Sequence, residues 1–348
     1  MAVLTLIDAA DASALCAAFG LPAPLGIEGI AGGSVNSNFA LRLAVAVTDA
    51  GDGAGALRGG QGAAAGKVFC RLYEEQDLVG AEREAAMLGR LAAAGVPTPA
   101  PLRALTAAAA TRPTFIRVVR GKPAALFPWR PGVIRCQASV TADDAGRVGQ
   151  ALARVHEAGR SERAEPGRFG LPQLLSRLDG IEQGGDPRFA PLAPTLRAHL
   201  ERVQAARDAG LPQGLIHGDL FRDNVLWVGG ELSALLDFES ACLGSYAYDL
   251  AVTVLAWCFG DDLDPRLASA LCAGYQRVRP LTHAERQGLH AEACFAALRF
   301  TVTRITDYAL RAGAAGPRVV KDWSRFMKRF DKLQALGSGA LQAMLLGA

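Results

Sequence analysis

Hydrophobic and polar positions alternate along several short segments of the chain. In residues 67–73 the alternation places Lys67, Phe69 and Arg71 on one face of a predicted strand and the apolar side chains between them on the other face. Residues 39–47 alternate in the same way. Further strands are predicted at residues 114–119, 225–228 and 231–236. These segments predict short antiparallel strands joined by turns.

A helical period is found over residues 79–94. Its apolar stripe includes Met87, Leu88 and Leu91. Glu84 precedes these residues by three, four and seven positions, so it points with the stripe towards the sheet. A carboxylate that points into a core is usually paired with a cation.

Arg71, on the preceding strand, is the predicted partner of Glu84. Lys67 is the alternative, although it lies nearer the start of that strand. An ion pair at this position is either purely structural or part of a nucleotide site, because arginine can hold phosphate through two parallel hydrogen bonds. The sequence leaves both interpretations open.

Most of the remaining chain has the apolar spacing of helices. Helices are predicted over residues 8–19, 141–156, 173–181, 195–209, 248–259, 265–277, 283–311 and 321–345. We therefore predict an α+β fold with two lobes. The N-terminal lobe, residues 1–126, has a small antiparallel sheet and one key helix, and the C-terminal lobe, residues 127–348, is mostly helical.

Composition narrows the class of protein. The 348 residues include 37 basic and 34 acidic side chains, and the net charge of +3 does not indicate a nucleic-acid partner. The seven cysteines are scattered without the spacing of a zinc site, which is typical of a reducing compartment. The longest strongly apolar run, residues 250–260, is too short to cross a bilayer. We expect a cytoplasmic protein without a membrane partner, and the oligomeric state stays open.

Residues 214–249 hold the side chains best suited to chemistry. Asp219 and Asn224, with four residues between them, precede one predicted strand, and Asp237 ends the strand that pairs with it. The hairpin therefore presents Asp219, Asn224 and Asp237 near one point. An aspartate can accept the proton of an attacking hydroxyl, and carboxylate and amide oxygens are suitable ligands for Mg²⁺. The pattern favours phosphoryl transfer, which depends mainly on positioning and charge neutralisation.

This stretch resembles the aminoglycoside phosphotransferase superfamily, which shares the protein-kinase fold. The string His-Gly-Asp-Leu-Phe-Arg-Asp-Asn at residues 217–224 is most similar to type II homoserine kinases. The resemblance implies a protein-kinase-like fold with ATP between the lobes, Mg²⁺ on Asn224 and Asp237, and Asp219 as the base. It also implies that Asp249 braces the catalytic loop and that His217 anchors the turn.

The resemblance assigns residues to the nucleotide as well. A loop of small residues before the strand at 39–47 is similar to the loop that covers the nucleotide in this family. Arg71 occupies the position where protein kinases have a lysine, which is a departure from the pattern. Residues 127–129 lie by position at the hinge that meets adenine, although plain packing is an alternative for them. The side chains assigned to the nucleotide are Ser34, Asn36, Ser37, Asn38, Arg71, Glu84, Phe127 and Trp129.

Similarity to homoserine kinases implies L-homoserine as the small-molecule partner. Its carboxylate requires an arginine and its ammonium requires an acid. The side chains assigned to the acceptor are Asp219, Arg222, Asp223 and Arg304. Arg299 and Asp307 lie on the same predicted helix as Arg304, and for each of the three taken alone the favoured interpretation is a solvated helix charge.

Two other classes of protein remain open. One is a kinase for an aminoglycoside, choline, methylthioribose or a sugar. An aminoglycoside is polycationic and would require acids, whereas residues 321–329 are basic. The other class is a nucleotide-binding module without catalysis, which Arg71 in place of lysine would support and the intact Asp219, Asn224 and Asp237 oppose.

Overall fold

The computed structural model describes residues 3–30, 36–48, 56–58, 66–105, 114–311 and 321–347. The chain divides into two compact units. The first comprises Met1–Gly132 and Ser233–Leu236, and the second comprises Val133–Leu232 and Asp237–Ala348. The lobe boundary that we place between residues 126 and 127 stays a prediction.

The first unit is built on an antiparallel sheet. Its elements are α1 (Ala9–Ala18), β1 (Gly26–Gly29), β2 (Ser37–Leu43), β3 (Ala46–Thr48), β4 (Ala56–Arg58), β5 (Gly66–Leu72), α2 (Leu78–Ala93), β6 (Arg117–Val119) and β7 (Lys122–Pro128). Five strands form one sheet in the order β1-β2-β5-β7-β6, and β3 pairs with β4. In β5 the side chains of Val68, Cys70 and Leu72 are buried in the core, which confirms the predicted alternation.

The second unit is mostly helical. Its helices are α3 (Ala142–Ala158), α4 (Leu171–Gly184), α5 (Ala193–Ala205), α6 (Tyr246–Trp257), α7 (Pro265–Gln276), α8 (His283–Arg304) and α9 (Ser324–Leu346). Its strands are β8 (Gln213–Ile216), β9 (Val225–Val228), the start of β10 (Glu231–Leu235) and β11 (Cys242–Ser245). β9 pairs with β10, and β8 pairs with β11. The sheet and the helical remainder confirm the predicted α+β class.

Helix α3 packs against α7 with unusually close backbones. A Cβ atom on Gly274 of α7 would lie 2.0 Å from the carbonyl oxygen of Gly146 in α3, so only glycine permits this approach. Helix α3 begins at a capping box, in which Thr141 and Asp144 bond each other's backbone amides. The close packing fixes α3 and α7 together, and both helices contribute to the hydrogen bonds described below.

Some element ends differ from the prediction. The strand predicted over residues 39–47 ends at Leu43, and a separate short strand begins at Ala46. The helix predicted over residues 283–311 is α-helical only to Arg304 and continues as a π-helix at Ile305–Ala309. Helix α9 has a non-helical residue, Gly337, because glycine adopts the φ of 74° found there without strain. Among the described residues, we find no helix with the length and apolarity needed to cross a membrane.

Candidate active site

The loop after β8 carries the predicted base. Strand β8 ends at Ile216, and His217 and Gly218 turn the chain so that Asp219 follows. Gly218 has a φ of 74°, and a Cβ atom there would lie 2.7 Å from the carbonyl oxygen of Ser240. This position therefore requires glycine. The side chain of Asp219 is partly exposed, so a small hydroxyl compound can reach its carboxylate.

Asp249, near the start of α6, holds this loop in place. Its carboxylate accepts hydrogen bonds from the backbone amides of His217 at 2.7 Å and Gly218 at 2.8 Å. Asp249 is completely buried. Two charge-assisted hydrogen bonds in a buried place are strong, so the residues immediately before Asp219 have a fixed backbone.

A chain of buried side chains continues from Asp249 to the start of α8. His156 of α3 lies 3.0 Å from Asp249 through Nε2, and its Nδ1 lies 2.7 Å from the hydroxyl of Tyr275. Arg279 donates to that hydroxyl at 3.1 Å and bonds Glu285 at 2.8 Å. Because a carboxylate only accepts, His156 donates through Nε2 and accepts from Tyr275 through Nδ1. The chain thus joins three helices to the catalytic loop.

Burial sets the charge states in this chain of side chains. Burial lowers the pKa of His156, which favours the neutral imidazole. Burial alone would raise the pKa of Asp249, but the interactions with His156, led by its hydrogen bond, together with those of His217 and the Gly218 amide, outweigh burial, and the pKa lies below the ordinary value. Asp249 is therefore an anion that the neutral His156 and two backbone amides stabilise.

Replacing His156 by Ala is expected to lower the free energy of unfolding by about 3 kcal/mol near neutral pH. The change removes one buried hydrogen bond from Asp249 and one from the Tyr275 hydroxyl, and it opens a cavity. Urea denaturation measures the loss. His283→Ala is the matched control, because His283 is exposed at the start of α8 and its removal should change stability little. Equal stability of the two variants would contradict the bracing role.

The same variant should change the acid dependence of stability. In the folded protein the pKa of His156 lies below 6.5, so the unfolded chain binds more protons as the pH falls through that value, and stability decreases. The lowered pKa of Asp249 acts in the same direction at a lower pH, below 3.8. Removing His156 eliminates the first component and weakens the second, because the hydrogen bond from His156 is the leading interaction that lowers the pKa of Asp249. We expect a flatter dependence between pH 6.5 and about 5 in His156→Ala than in the unsubstituted protein.

Asn224 and Asp237 flank the hairpin formed by β9 and β10. Asn224 directly precedes β9 and donates from Nδ2 to the backbone carbonyl of Asp219 at 2.8 Å. Because Nδ2 makes this hydrogen bond, the other atom of the side-chain amide of Asn224, its oxygen, points away from it. Asp237 follows β10 with a φ of 61° and a ψ of 68°, a conformation that Asp and Asn tolerate better than most residues. Since the strands pair, both residues lie at the same end of the hairpin.

Asp237 has a buried carboxylate oxygen, Oδ1, without a hydrogen-bond partner among the described residues. Burying a carboxylate oxygen without a hydrogen-bond partner destabilises the fold unless a ligand or an ion binds that oxygen. The amide oxygen of Asn224 and the carboxylate of Asp237 are the oxygen donors that Mg²⁺ prefers. The residues present therefore fit a magnesium ion.

Arg299 of α8 lies beside the predicted base, which the sequence analysis missed. Its Nη1 is 3.5 Å from Oδ1 of Asp219, and its side chain is only 4% exposed. The guanidinium lies 4.0 Å from the ring of Phe169 and 3.8 Å from that of Phe300. The interpretation of Arg299 as a solvated helix charge was wrong, because aromatic rings cover it and direct it towards Asp219.

In the first unit, Glu84 is paired with Arg71. The ion pair is 3.3 Å long, and both side chains are largely buried. Gln76 also donates to Glu84, at 2.7 Å. Lys67 lies instead over the ring of Trp129, 5.2 Å from its centroid. The structure thus pairs Glu84 with Arg71, as predicted, and gives Lys67 a different neighbour.

The other residues assigned to the nucleotide have varied surroundings. Ser37 is fully buried, and its hydroxyl donates to Glu74 at 2.5 Å, so this hydroxyl is bonded within the protein, and its assignment to the nucleotide stays a prediction. Asn36 accepts from the backbone amide of Glu74 at 3.1 Å. Asn38 lies in β2 and is buried. Ser34 lies outside the described residues.

Two aromatic residues complete that set. Phe127 is buried in β7 and packs against Phe69, with ring centroids 6.0 Å apart. Trp129 is half-buried directly after β7. Packing explains Phe127, and its assignment to adenine stays a prediction together with that of Trp129.

The residues assigned to the acceptor lie in the second unit. Asp223 is exposed, and its assignment to the ammonium group of the acceptor stays a prediction. Arg222 is half-buried and donates to the backbone carbonyl of Ala256. Arg304 donates to the backbone carbonyl of Asp322 at 2.8 Å. Burial lowers the pKa of Arg304 to about 10, so Arg304 is not a solvated helix charge.

Comparison with known proteins identifies the class to which this fold and site belong. A homoserine kinase from Gluconobacter oxydans is 34% identical over 96% of this chain and 99% of its own length. A homoserine kinase from Methylocella silvestris is 33% identical over 88% of both chains. A spectinomycin phosphotransferase solved with ADP and spectinomycin superimposes with a TM-score of 0.64 at 13% identity, covering 98% of both chains. The fold is that of the protein-kinase-like phosphotransferases.

Residues 26–281 match the model of the phosphotransferase enzyme family. The chain belongs to this family, and its fold and family were both predicted correctly from the motif at residues 217–224.

Proposed function

We propose that the protein is a kinase that transfers the γ-phosphoryl group of ATP to the hydroxyl of L-homoserine. The observation that carries the proposal is the constellation of Asp219 and Asn224, which follow a turn that Asp249 holds in place, with Asp237 at the same end of the β9–β10 hairpin as Asn224. Similarity to homoserine kinases over nearly the whole chain supports the choice of acceptor.

In the proposed reaction Asp219 accepts a hydrogen bond from the acceptor hydroxyl and takes its proton. The hydroxyl oxygen forms a bond to the γ-phosphorus while the bond between that phosphorus and the β,γ-bridging oxygen breaks, so ADP leaves. Arg299 orients the carboxylate of Asp219 from 3.5 Å. Asn224 and Asp237 would hold Mg²⁺, which supplies positive charge to the phosphates when bound.

Phosphate binding by Arg71 is part of the proposal. Replacing Arg71 by Gln is expected to raise the KM for ATP about tenfold with little change in the KM for the acceptor, because a charge-assisted hydrogen bond to phosphate is lost. Steady-state kinetics measure both constants. Arg103→Gln, at an exposed position of the same unit, is the matched control. An unchanged KM for ATP would leave the pair with Glu84 a purely structural role.

The acceptor is tested by ADP release from Mg-ATP. L-homoserine is expected to stimulate release strongly, and choline, methylthioribose and kanamycin are expected to stimulate it much less. Turnover with one of the other alcohols instead would retain the mechanism and reject homoserine. Tight ATP binding without turnover in any arm would favour a binding module.

A further inference from the structure

Three arginines of the second unit form a group that we call the arginine cluster: Arg222, Arg304 and Arg329. Each donates to a backbone carbonyl. Arg222 bonds that of Ala256, and Arg304 bonds that of Asp322 at 2.8 Å. Arg329 donates to the carbonyl of Phe259 at 3.3 Å, and only 6% of the surface of Arg329 is exposed.

The arginine cluster lacks a carboxylate partner. Among the described residues, no aspartate or glutamate oxygen lies within 4.0 Å of these three guanidiniums. Residues 312–320, which lie outside the described part of the chain, contain neither Asp nor Glu. Buried arginines are normally paired with an acid. Backbone carbonyls satisfy some of the donors here, but they do not neutralise three positive charges.

Aromatic rings place the arginine cluster beside the catalytic loop. The guanidiniums of Arg304 and Arg329 lie 4.4 and 4.6 Å from the ring centroid of Phe326. Phe326 in turn packs against Phe300, at 4.8 Å, and against Phe221, at 6.0 Å. Phe221 lies two residues after Asp219, and Phe300 stacks with the Arg299 that contacts Asp219.

Burial and neighbouring like charges disfavour the protonated, positively charged form of the arginines in the cluster. Burial, together with the charges of Arg325, Arg304 and Arg222, lowers the pKa of Arg329 to about 9. Burial also lowers the pKa of Arg222. The Nε of Arg304 is buried without a hydrogen-bond partner. Like charges that are buried together with unused donors are stabilised by an anion that binds among them.

We propose that the arginine cluster binds the carboxylate of the acceptor, so that the enzyme selects alcohols that carry a carboxylate and rejects purely cationic ones. This inference rests on the proposed kinase function. A planar guanidinium matches a carboxylate through two parallel hydrogen bonds. The cluster adds Arg329 of α9 to the predicted acceptor residues Arg222 and Arg304. A cationic alcohol would instead be repelled by the positive charges of the three arginines.

The test compares L-homoserine with 3-aminopropan-1-ol, which keeps the hydroxyl and the amine but lacks the carboxylate. Arg329→Gln is expected to lower kcat/KM about 30-fold to 100-fold for L-homoserine and less than about threefold for the amino alcohol, because the lost hydrogen bonds reach only the carboxylate. Arg304→Gln should behave in the same way. The KM for ATP should not change in either variant.

Lys328→Gln is the matched control. Lys328 is the exposed neighbour of Arg329 on α9, so the variant loses the same charge outside the cluster and should stay within about twofold of the unsubstituted enzyme for both acceptors. Arg329→Lys keeps the charge without the planar fork, so its loss for L-homoserine should be intermediate. If Arg329→Gln does not fold, Arg329→Lys and Arg304→Gln carry the comparison.

Equal losses for both acceptors, or a raised KM for ATP, would overturn the inference, because the arginines would then serve the loop or the phosphates. Absence of turnover with L-homoserine would reject the proposed function separately. In that case the arginine cluster is tested by binding: the unsubstituted protein and Arg329→Gln are each titrated calorimetrically with L-homoserine and with 3-aminopropan-1-ol. Binding that requires both the carboxylate and Arg329 supports the cluster, and equal or absent binding overturns it.

Discussion

Replacing Asp219 by Asn is expected to lower kcat about 10³-fold, while the KM for ATP changes little. The amide has nearly the same shape but cannot take the proton of the acceptor hydroxyl, and positioned general bases contribute about 10²-fold to 10⁴-fold. The loop itself should stay folded, because the bonds from Asp249 to residues 217 and 218 use backbone amides. Single-turnover phosphoryl transfer with Mg-ATP and L-homoserine measures the effect on the chemical step.

The control for this prediction is Asp331→Asn. Asp331 is exposed on α9, and its neutralisation should leave turnover within about twofold of the unsubstituted enzyme. Circular dichroism and ATP binding establish that Asp219→Asn is folded. A folded, ATP-binding Asp219→Asn variant with full turnover would exclude Asp219 as the base.

The predictable part of the site is the part that is local in sequence. Asp219 and Asn224 are five positions apart, and Asn224 bonds the backbone of Asp219 directly. Asp237 follows through one hairpin, whose turn is marked by two glycines. Spacing alone therefore placed these three residues together, because few conformations connect positions so close along the chain.

The parts that were missed depend on long-range packing. His156 meets Asp249 across 93 positions, and Arg299 meets Asp219 across 80. In one sequence each of these residues is an ordinary polar position on an otherwise apolar helix. Only the close approach of α3 and α7 and the aromatic cover of Arg299 direct them to the catalytic loop. The arginine cluster has the same origin, since three separate elements contribute one member each.

Helix positions were predicted better than helix ends. The apolar period located α2 and placed Glu84 on its buried face, where it is found. The change to π-helix after Arg304 and the kink at Gly337 were not predicted, because the period continues through both. Local backbone geometry at such points is determined by neighbouring elements rather than by the pattern of apolar residues.

Asp237→Asn is expected to lower kcat at least about 10³-fold at a low millimolar Mg²⁺ concentration, because a metal at this site supplies several kcal/mol of charge stabilisation and the variant removes its anionic ligand. Asparagine is the substitution of choice, since it tolerates the positive φ of this residue and keeps the shape of the side chain. This prediction concerns Oδ1 of Asp237, the buried oxygen that lacks a hydrogen-bond partner among the described residues.

The distinguishing measurement is the dependence of turnover on Mg²⁺. Loss of an anionic ligand weakens metal affinity, so Asp237→Asn should require at least about tenfold more Mg²⁺ for half-maximal activity. Asp261→Asn, at an exposed position of the same unit, should keep the original requirement. The predictions for Asp219 and Asp237 differ here, because Asp219→Asn should lose turnover without a change in the Mg²⁺ requirement. If a folded Asp237→Asn variant needs no more Mg²⁺ than the unsubstituted enzyme, Oδ1 of Asp237 does not bind the metal.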